Sequence, residues 1–384
     1  MPSATPDIPT WVRPAPTKED LDYADLAKID LSKWPSRKEE LVEDLRRAVT
    51  EVGFWYVQNY GISDEEVIRQ HSIGDAFLNL PLDEKRQHPC NFKEGNFFGF
   101  REGFRIMGTS GVKDNSEAKV PPAPLPFTSD ETDIGMRCRL CLPKITPSLA
   151  HEFPAFDFLR PYQGEIEGFQ RKIHERILVP LLSLFALLLE LPEDYFAAPH
   201  AWDRATEDHL RYMRYTPNSK EVDEHLPDKQ YLNGHTDFGL VTLLFPQVVQ
   251  GLQILTAEGR WKYVPYLADS VIVNTADILS FATGGWIKST VHRVVRPPDD
   301  QAHVQRLGLF YFSRAAHDWP TGVIAPSPVL QREGIYKEED QPKIPVSGLE
   351  FTRQRVKHAW DRPVYSDREE TFEIKGLKVQ TLYT

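Results

Sequence analysis

The sequence has few cysteines, no long apolar run and no excess of basic residues. Three cysteines, Cys90, Cys138 and Cys141, are too few, and odd in number, for a disulfide framework. Cys138 and Cys141 form a C-x-x-C pair, but no second pair or nearby histidine completes a zinc site, so we interpret them as ordinary thiols. No stretch of about 18 apolar residues could span a bilayer, and the N-terminus has no signal-peptide pattern. We therefore expect a cytoplasmic protein without a membrane partner.

The charge balance is acidic, with a net charge of -11 and a pI near 5.6. Lysine and arginine are scattered among acids, so the sequence lacks the basic stripe that binds a phosphate backbone and does not favour a nucleic-acid partner. Hydrophobic residues at 41% and charged residues at 26% of 384 are typical of a globular protein with a sizeable core. The composition leaves the oligomeric state open.

The chain changes its pattern near residue 208. Before this point the sequence predicts helices: capping boxes at Ser36–Glu39 and Ser63–Glu66 open two of them, and a long buried helix follows, restarted at Pro180. Beyond it, short apolar runs and turn residues predict the strands 209–215, 239–245, 251–255, 260–266, 270–274, 278–282, 290–295 and 305–312. Many short strands favour a sandwich or barrel on which the helical region packs, with a last helix at 348–360.

His235 and Asp237 form an H-x-D triplet beside the apolar run 240–245. Because side chains on a strand alternate between its faces, the imidazole and the carboxylate can reach a single ion. A solitary triplet is weak, but His292, in the strand-like run 289–295, can supply a third ligand. Two histidines and one carboxylate occupy one face of an octahedral iron and leave three positions open. Taken singly, His235 is also typical of a turn cap and His292 of a hydrogen-bonded strand histidine.

Arg306 begins an otherwise apolar strand just after the His292 strand. A guanidinium entering such a strand is costly unless it meets an anion, and its planar fork suits a carboxylate. The pattern therefore indicates a site that binds both a metal and a carboxylate.

These motifs together resemble the iron(II)- and 2-oxoglutarate-dependent dioxygenases of the isopenicillin N synthase-like family. The similar segments are the H-T-D triplet, the runs 53–61, 273–277 and 289–295, and the R-x-G strand at Arg306. The resemblance implies an α+β, mainly β fold: a distorted double-stranded β-helix (jelly-roll) flanked by N-terminal helices and a C-terminal helix. We expect one integrated domain, with an N-terminal helical and mixed region at 1–207, the core at 208–320 and a C-terminal extension at 321–384.

The resemblance also implies the site. His235, Asp237 and His292 would bind Fe(II), Arg306 would bind the distal carboxylate of 2-oxoglutarate, and O2 would be the oxidant, with ascorbate as a reductant in vitro. Two departures concern the co-substrate: Gly308 replaces the family's serine, and Arg214-Tyr215-Thr216-Pro217 replaces its N-Y-Y-P motif. Tyr215, Thr216 and Gly308 thus remain candidates for co-substrate contacts.

Substrate residues are predicted from three places. Arginines on the corresponding strand of β-lactam ring-expanding relatives contact an acidic substrate, so Arg214 or Arg211 could bind a substrate carboxylate, the alternative being a solvent-facing arginine. The phenylalanine-rich run 92–104 and Trp286 could form the walls of an apolar pocket or simply pack in the core. The candidate wall residues are Phe98, Phe100, Arg101, Arg105 and Trp286.

The predicted activity is oxidation of a small organic metabolite of secondary metabolism by hydroxylation, desaturation or ring rearrangement, with succinate and CO2 as co-products. One alternative is an oxidase of the isopenicillin N synthase type, which does not need 2-oxoglutarate and whose corresponding arginine binds the substrate's own carboxylate. Another is a non-catalytic binding module on the same fold. An intact His, Asp, His set argues against the second alternative.

Overall fold

A computed structural model of the protein describes residues 7–104, 137–146, 151, 153–361 and 370–381. Its helices are α1 (Lys38–Arg47), α2 (Asp64–Leu78), α3 (Leu82–Lys85), α4 (Gln163–Ile173), α5 (Val179–Leu188), α6 (Lys220–His225), α7 (Asp277–Phe281), α8 (Pro328–Arg332) and α9 (Gly348–Asp361). The strands of the N-terminal half are β1 (Ala27–Asp30), β2 (Phe54–Gln58), β3 (Gly99–Phe104), β4 (Arg137–Pro143) and β5 (His209–Tyr215). Those that follow are β6 (Gln230–His235), β7 (Val241–Leu244), β8 (Leu252–Leu255), β9 (Trp261–Tyr263), β10 (Ser270–Thr275), β11 (His292–Val295), β12 (Arg306–Phe312), β13 (Pro320–Thr321), β14 (Val346–Ser347), β15 (Glu370–Ile374) and β16 (Leu377–Thr381).

Two sheets form the centre of the fold. The larger has the strand order β1-β2-β10-β7-β12-β5-β4-β3, and the smaller has the order β6-β11-β8-β9. Met213 and Tyr215 of the larger sheet pack against Tyr231 and Val294 of the smaller one, so these two faces enclose a common interior. We call this side of the larger sheet its inner face.

The outer face of the larger sheet is covered by helices. Tyr212 of β5 lies on this face, where its hydroxyl donates to Gln70 of α2 at 2.7 Å. A Cβ added to Gly74 of α2 would lie 2.3 Å from Cδ1 of Tyr212, so the close approach of helix and strand requires glycine. The helical region thus packs on the strands as predicted.

The two predicted capping boxes have different outcomes. At Ser63 the box is confirmed, with both reciprocal hydrogen bonds to Glu66 present. The prediction at Ser36 is wrong: α1 begins at Lys38, and the cap residue Arg37 makes no side-chain cap bond. Ser36 instead lies within a preceding turn, in which its hydroxyl and the amide of Arg37 both bond to the carbonyl of Lys33, at 3.2 and 2.8 Å.

The strand predictions are wrong in places. Residues 278–282 are predicted as a strand, but 278–281 belong to α7, because the chain turns into a helix once β10 ends at Thr275. Strand β6 is not predicted, since Asn233 and Gly234 are poor strand formers. The strand forms because Leu232 and His235, on either side of them, pair with β11, and Asn233 and Gly234 lie at the register shift between these pairs. The phenylalanine-rich run 92–104 contains β3, which pairs with β4.

The long helix is interrupted where the sequence suggests. A wider, π-type turn at His174–Leu178 separates α4 from α5, which begins at Val179 with Pro180 in its first turn. Among the helices described here, none combines the length and the apolarity needed to cross a bilayer. The three cysteines are free thiols.

Candidate metal centre

The two sheet strands β6 and β11 bring the predicted ligands together. His235 is the last residue of β6, His292 is the first residue of β11, and the two are direct partners across the antiparallel pair. Asp237 follows two residues after His235. One ligand atom from each of the three side chains lies within 4.8 Å of the others. Two imidazoles and one carboxylate in this compact arrangement fit a ferrous ion with open coordination positions.

Backbone carbonyls orient both imidazoles. Nδ1 of His235 lies 2.9 Å from the carbonyl oxygen of Asn233, and Nδ1 of His292 lies 3.1 Å from that of Thr290. A hydrogen bond donated from Nδ1 leaves the metal-binding lone pair on Nε2. Nε2 of His292 faces Asp237, with 3.8 Å between it and Oδ2.

Asp237 is held as a carboxylate. Burial alone would raise its pKa, but the neighbouring imidazoles of His292 and His235 and hydrogen bonds from Asn274 and Thr242 outweigh this effect and lower the pKa below its ordinary value. The amide of Asn274 donates to Oδ2 at 3.0 Å. The side chain is therefore ionised, as a metal ligand must be.

A buried carboxylate, Asp277, fixes the turn that carries the H-x-D triplet. It accepts hydrogen bonds from Thr236 at 3.2 Å and Ser289 at 2.8 Å, and its backbone amide donates to the carbonyl of Asp237 at 2.8 Å. Arg355 of α9 completes the network with a 2.8 Å ion pair to Asp277. Helix α9 thus stabilises, through Asp277, the turn that carries His235 and Asp237.

Arg306 enters the interior at the start of β12. The side chain is only 2% exposed, its Nε donates to the carbonyl of Val249 at 3.1 Å, and its Nη1 is buried without a hydrogen-bond partner in the part of the chain described. Burial lowers the pKa of this guanidinium. Tyr215 is its partner across the strand pair, with 5.5 Å from Cζ to the ring centroid. An unsatisfied buried guanidinium fits a carboxylate ligand.

The structure gives a reason for Gly308. A Cβ added there would lie 2.5 Å from Cε2 of Phe310, so the phenyl ring occupies the space that a serine side chain would need. The hydroxyl that the family places here is replaced by an aromatic edge. Thr216, the other candidate for a co-substrate contact, is the first residue after β5.

The predicted substrate residues separate into two groups. Arg211 and Arg101 lie on the inner face, and Phe98 packs nearby at 6.1 Å from the ring of His209. Three others lie elsewhere. Arg214 donates hydrogen bonds to Leu78 and Asn79 of the helical region. Phe100 packs on Phe77 of α2, and the ring of Trp286 lies next to the guanidinium of Arg46 of α1. Arg105 is outside the described residues.

Four residues that contribute to the metal centre or its surroundings are not predicted from the sequence. Asn274 and Asp277 are recognised only as parts of a motif, and Arg355 comes from a helix far along the chain. Arg314 is buried beside the triplet, where its Nη1 lies 2.9 Å from a Cβ added to Gly239. Side chains at every second position of a strand lie on the same face, and counting in this way from Arg306 reaches Arg314. This alternation is the one sequence signal that could have predicted its position.

Comparison with known proteins gives two family models in chain order. The model described as the 2OG-Fe(II) oxygenase superfamily matches residues 207–315, which contain the three candidate ligands and Arg306. The model described as the non-haem dioxygenase in morphine synthesis N-terminal matches residues 26–120.

Similar proteins cover most of the chain. A proline hydroxylase, buaE, from Petromyces alliaceus is 27% identical over 84% of this chain and 94% of its own length. A 2-oxoglutarate-dependent dioxygenase, frbA, from Dothideomycetidae sp. is 28% identical over 74% of this chain and 82% of its own. A full-length Neurospora crassa protein solved in complex with alpha-KG has a TM-score of 0.70 and 21% identity, and the match covers 88% of this chain and 99% of that one. The predicted jelly-roll fold is thereby confirmed.

Proposed function

Because the chain belongs to the 2OG-Fe(II) oxygenase superfamily, we propose that His235, Asp237 and His292 hold its iron and that Arg306 anchors 2-oxoglutarate. The protein is an Fe(II)- and 2-oxoglutarate-dependent dioxygenase, an oxidoreductase rather than a non-catalytic binding module. It acts on a small organic molecule. The single observation that carries the residue assignment is the convergence of the three ligand atoms within 4.8 Å on two paired strands.

Hydrogen bonds from the surrounding chain orient the proposed ligands. The carbonyls of Asn233 and Thr290 set the ring orientations of the two histidines, and Asn274 directs one oxygen of Asp237. Such outer partners hold the side chains in the binding geometry and raise the affinity for metal. The ion pair of Arg355 with Asp277 keeps the intervening turn in place.

The co-substrate contact is proposed on electrostatic grounds. Arg306 is desolvated without a carboxylate partner in the residues described, so a carboxylate of 2-oxoglutarate would relieve an existing cost. Tyr215 lies against the same guanidinium and is proposed, with the following residue Thr216, to line the co-substrate site. Gly308 has no side chain and would contribute backbone only. Phe310 would present an aromatic edge at this position.

When bound, ferrous iron supplies the redox chemistry that couples O2 and 2-oxoglutarate to oxidation of the substrate. The chain's own share is to orient the ligands, anchor the co-substrate and exclude water from the interior between the sheets. We propose succinate and CO2 as co-products, and hydroxylation, desaturation or ring rearrangement as the outcome at the attacked carbon. A role in secondary metabolism and a cytoplasmic site of action belong to the same proposal.

The experiment is a turnover assay with purified protein, Fe(II), ascorbate, O2 and 2-oxoglutarate. Uncoupled formation of succinate that disappears with Arg306→Gln supports the assignment. If a substrate is found that is oxidised without 2-oxoglutarate, Arg306 instead serves the substrate's own carboxylate, as in an oxidase of the isopenicillin N synthase type. The ratio of succinate formed to substrate consumed separates the two.

A further inference from the structure

Arg139 and Arg211 lie on the inner face of the larger sheet, as Arg101 does, and Arg314 lies just beyond the end of β12 near the metal centre. Arg139 of β4 and Arg211 of β5 point to the same side, because their register partners Met213 and Cys141 alternate with the outward-facing Tyr212. Arg211 is in turn paired with Phe310 of β12, and Arg314 follows that strand by two residues. We refer to Arg139, Arg211 and Arg314 as the arginine cluster.

Aromatic rings hold the cluster in place. Cζ of Arg211 lies 4.0 Å from the ring centroid of Phe312, and Cζ of Arg314 lies 5.3 Å from the same ring. Arg314 also stacks on Phe238 at 4.0 Å. Phe312 is itself stacked on His209, at 4.8 Å and 7°. Guanidinium groups held against rings keep their N–H edges available for an in-plane ligand.

Within the described residues, part of the hydrogen-bonding capacity of the cluster is unused. Arg314 is 2% exposed, and its Nε and Nη1 are buried without a partner among the residues described. Arg211 reaches only neutral acceptors, Nε2 of His209 at 3.0 Å and Sγ of Cys141 at 3.3 Å. The buried Nε of Arg139 has no partner in the described ranges either. Arg314 is buried, and Arg139 and Arg211 are partly buried. Charges in such positions are normally paired, so three guanidinium groups without an ion pair among the described residues indicate a missing anion.

Among the described residues, the nearby carboxylates Glu207 and Asp208 form no direct ion pair with the cluster. Glu207 lies 3.6 Å from His317 and 3.9 Å from Arg353. Asp208 accepts from the backbone amide of Arg314 at 2.6 Å and from the hydroxyl of Tyr311 at 3.3 Å, not from the guanidinium. Burial, and then Arg211 and Arg101, lower the pKa of Arg139 to about 9, and burial lowers the pKa of Arg314 to about 10. The guanidinium groups of Arg139 and Arg314 are therefore still charged at neutral pH.

The cluster adjoins the metal centre. Gly239, two residues beyond Asp237, is so close to Arg314 that an added Cβ would lie 2.9 Å from Nη1. Phe97 lies 4.6 Å from the ring of His209 and 5.8 Å from Cζ of Arg314, and it packs with Phe98. An anion held by the cluster would thus have an apolar wall beside it and the candidate iron ligands behind it.

We infer that Arg139, Arg211 and Arg314 bind the carboxylate of the substrate, and that this substrate is an organic acid with an apolar or aromatic body. The inference rests on the proposed function, because the position beside Asp237 makes the bound molecule the one that is oxidised. Arg306, at the other end of β12, is separate from this cluster and is reserved for 2-oxoglutarate.

The test measures binding to the full-length, metal-free protein by calorimetry. The probes are acetate, benzoate and 3-phenylpropionate, each against its primary amide, together with inorganic phosphate. We expect the aromatic acids to bind at least about 10-fold more tightly than their amides, because removing the charge leaves the guanidinium groups unpaired. Arg314→Gln and Arg211→Gln should each weaken binding of 3-phenylpropionate about 30-fold or more.

Arg214→Gln is the matched control, since it removes a guanidinium from the same strand as Arg211 but on the outer face, and it should leave acid binding unchanged. Acids that bind no better than their amides, or that bind equally to all variants, would overturn the inference. Tighter binding of phosphate than of any carboxylate would overturn the carboxylate assignment. Iron-dependent consumption of 2-oxoglutarate without added acid is measured separately on the native protein, so failure of the proposed function is distinguishable from failure of this inference.

Discussion

The side-chain amide of Asn274 donates a hydrogen bond to Oδ2 of Asp237 at 3.0 Å, and this is the carboxylate oxygen that faces His292. Asn274 lies in β10 at a position where that strand is paired with both β2 and β7, so the donor is fixed by two neighbours. A donor held so firmly determines which way the carboxylate points.

Asn274→Ala is expected to weaken the affinity for Fe(II) about 10- to 100-fold, because the carboxylate loses the partner that orients it. The measurement is an anaerobic competition titration against a chelator. Asn79→Ala, which removes an amide at the end of α2, serves as the control. An unchanged affinity in Asn274→Ala would contradict the orienting role.

Arg306→Gln should raise the KM for 2-oxoglutarate about 100-fold, since one partner of a buried charge pair is lost. Arg306→Lys keeps the charge but not the planar fork, and we expect an intermediate value. Both are measured by succinate formation at varied 2-oxoglutarate. A KM equal to that of the native protein in Arg306→Gln would show that the co-substrate is anchored elsewhere.

Gly308→Ser should destabilise the fold by about 1–3 kcal/mol, because its Cβ meets the ring of Phe310 at 2.5 Å. The free energy of unfolding is measured in urea. Adding Phe310→Ala to Gly308→Ser removes the clash, so the double variant should be more stable than the sum of the two single changes predicts. Strict additivity would indicate that the ring is not the obstacle.

The sequence is most informative where a local rule decides the structure. The Ser63 box needs only Glu66 three residues further along the chain, and the H-x-D pair needs only the alternation of side chains at a strand. Strand β6 could not be predicted, because its Asn233 and Gly234 are poor strand formers and the strand is defined by the pairing of Leu232 and His235 with distant residues. The face of β5 to which Arg211 or Arg214 points cannot be predicted from the sequence either, because the register of a strand is set by its partners and not by the strand itself.

Arg314 and Arg355 illustrate the same limit at the site. Each lies in a segment without a motif, and each acquires its role from packing against the H-x-D turn. Whether a buried arginine has a carboxylate partner, as Arg355 has, or lacks an ion pair, as Arg314 does among the described residues, can be recognised only once its surroundings are known.

The stability of the protein should fall as the pH drops from about 6.5 to about 4. Burial lowers the pKa of His71 to about 4, from 6.5 in an exposed state, so in this range the unfolded chain binds a proton that the folded one does not. By pH 4 this residue alone should lower the free energy of unfolding by about 3 kcal/mol. His71→Phe retains an aromatic ring against Trp11, which is stacked on His71 at 4.5 Å, and should flatten the profile.

Urea unfolding at several pH values gives this profile, and His303→Gln, which alters an exposed histidine, is the control. An identical pH slope in His71→Phe and the native protein would mean that this histidine does not contribute to acid destabilisation.

His235, Asp237 and His292 form the proposed iron site. Its most direct test is an anaerobic titration of native protein and Asp237→Ala with Fe(II) and 2-oxoglutarate, followed by visible absorption of the iron–oxo-acid chelate and then by succinate formation in air. Asp318→Ala, at an exposed carboxylate, is the matched control. We predict one iron per chain and succinate formation in the native protein and the control, and neither in Asp237→Ala. An Asp237→Ala protein that still binds one iron and forms succinate at the native rate would contradict the assignment.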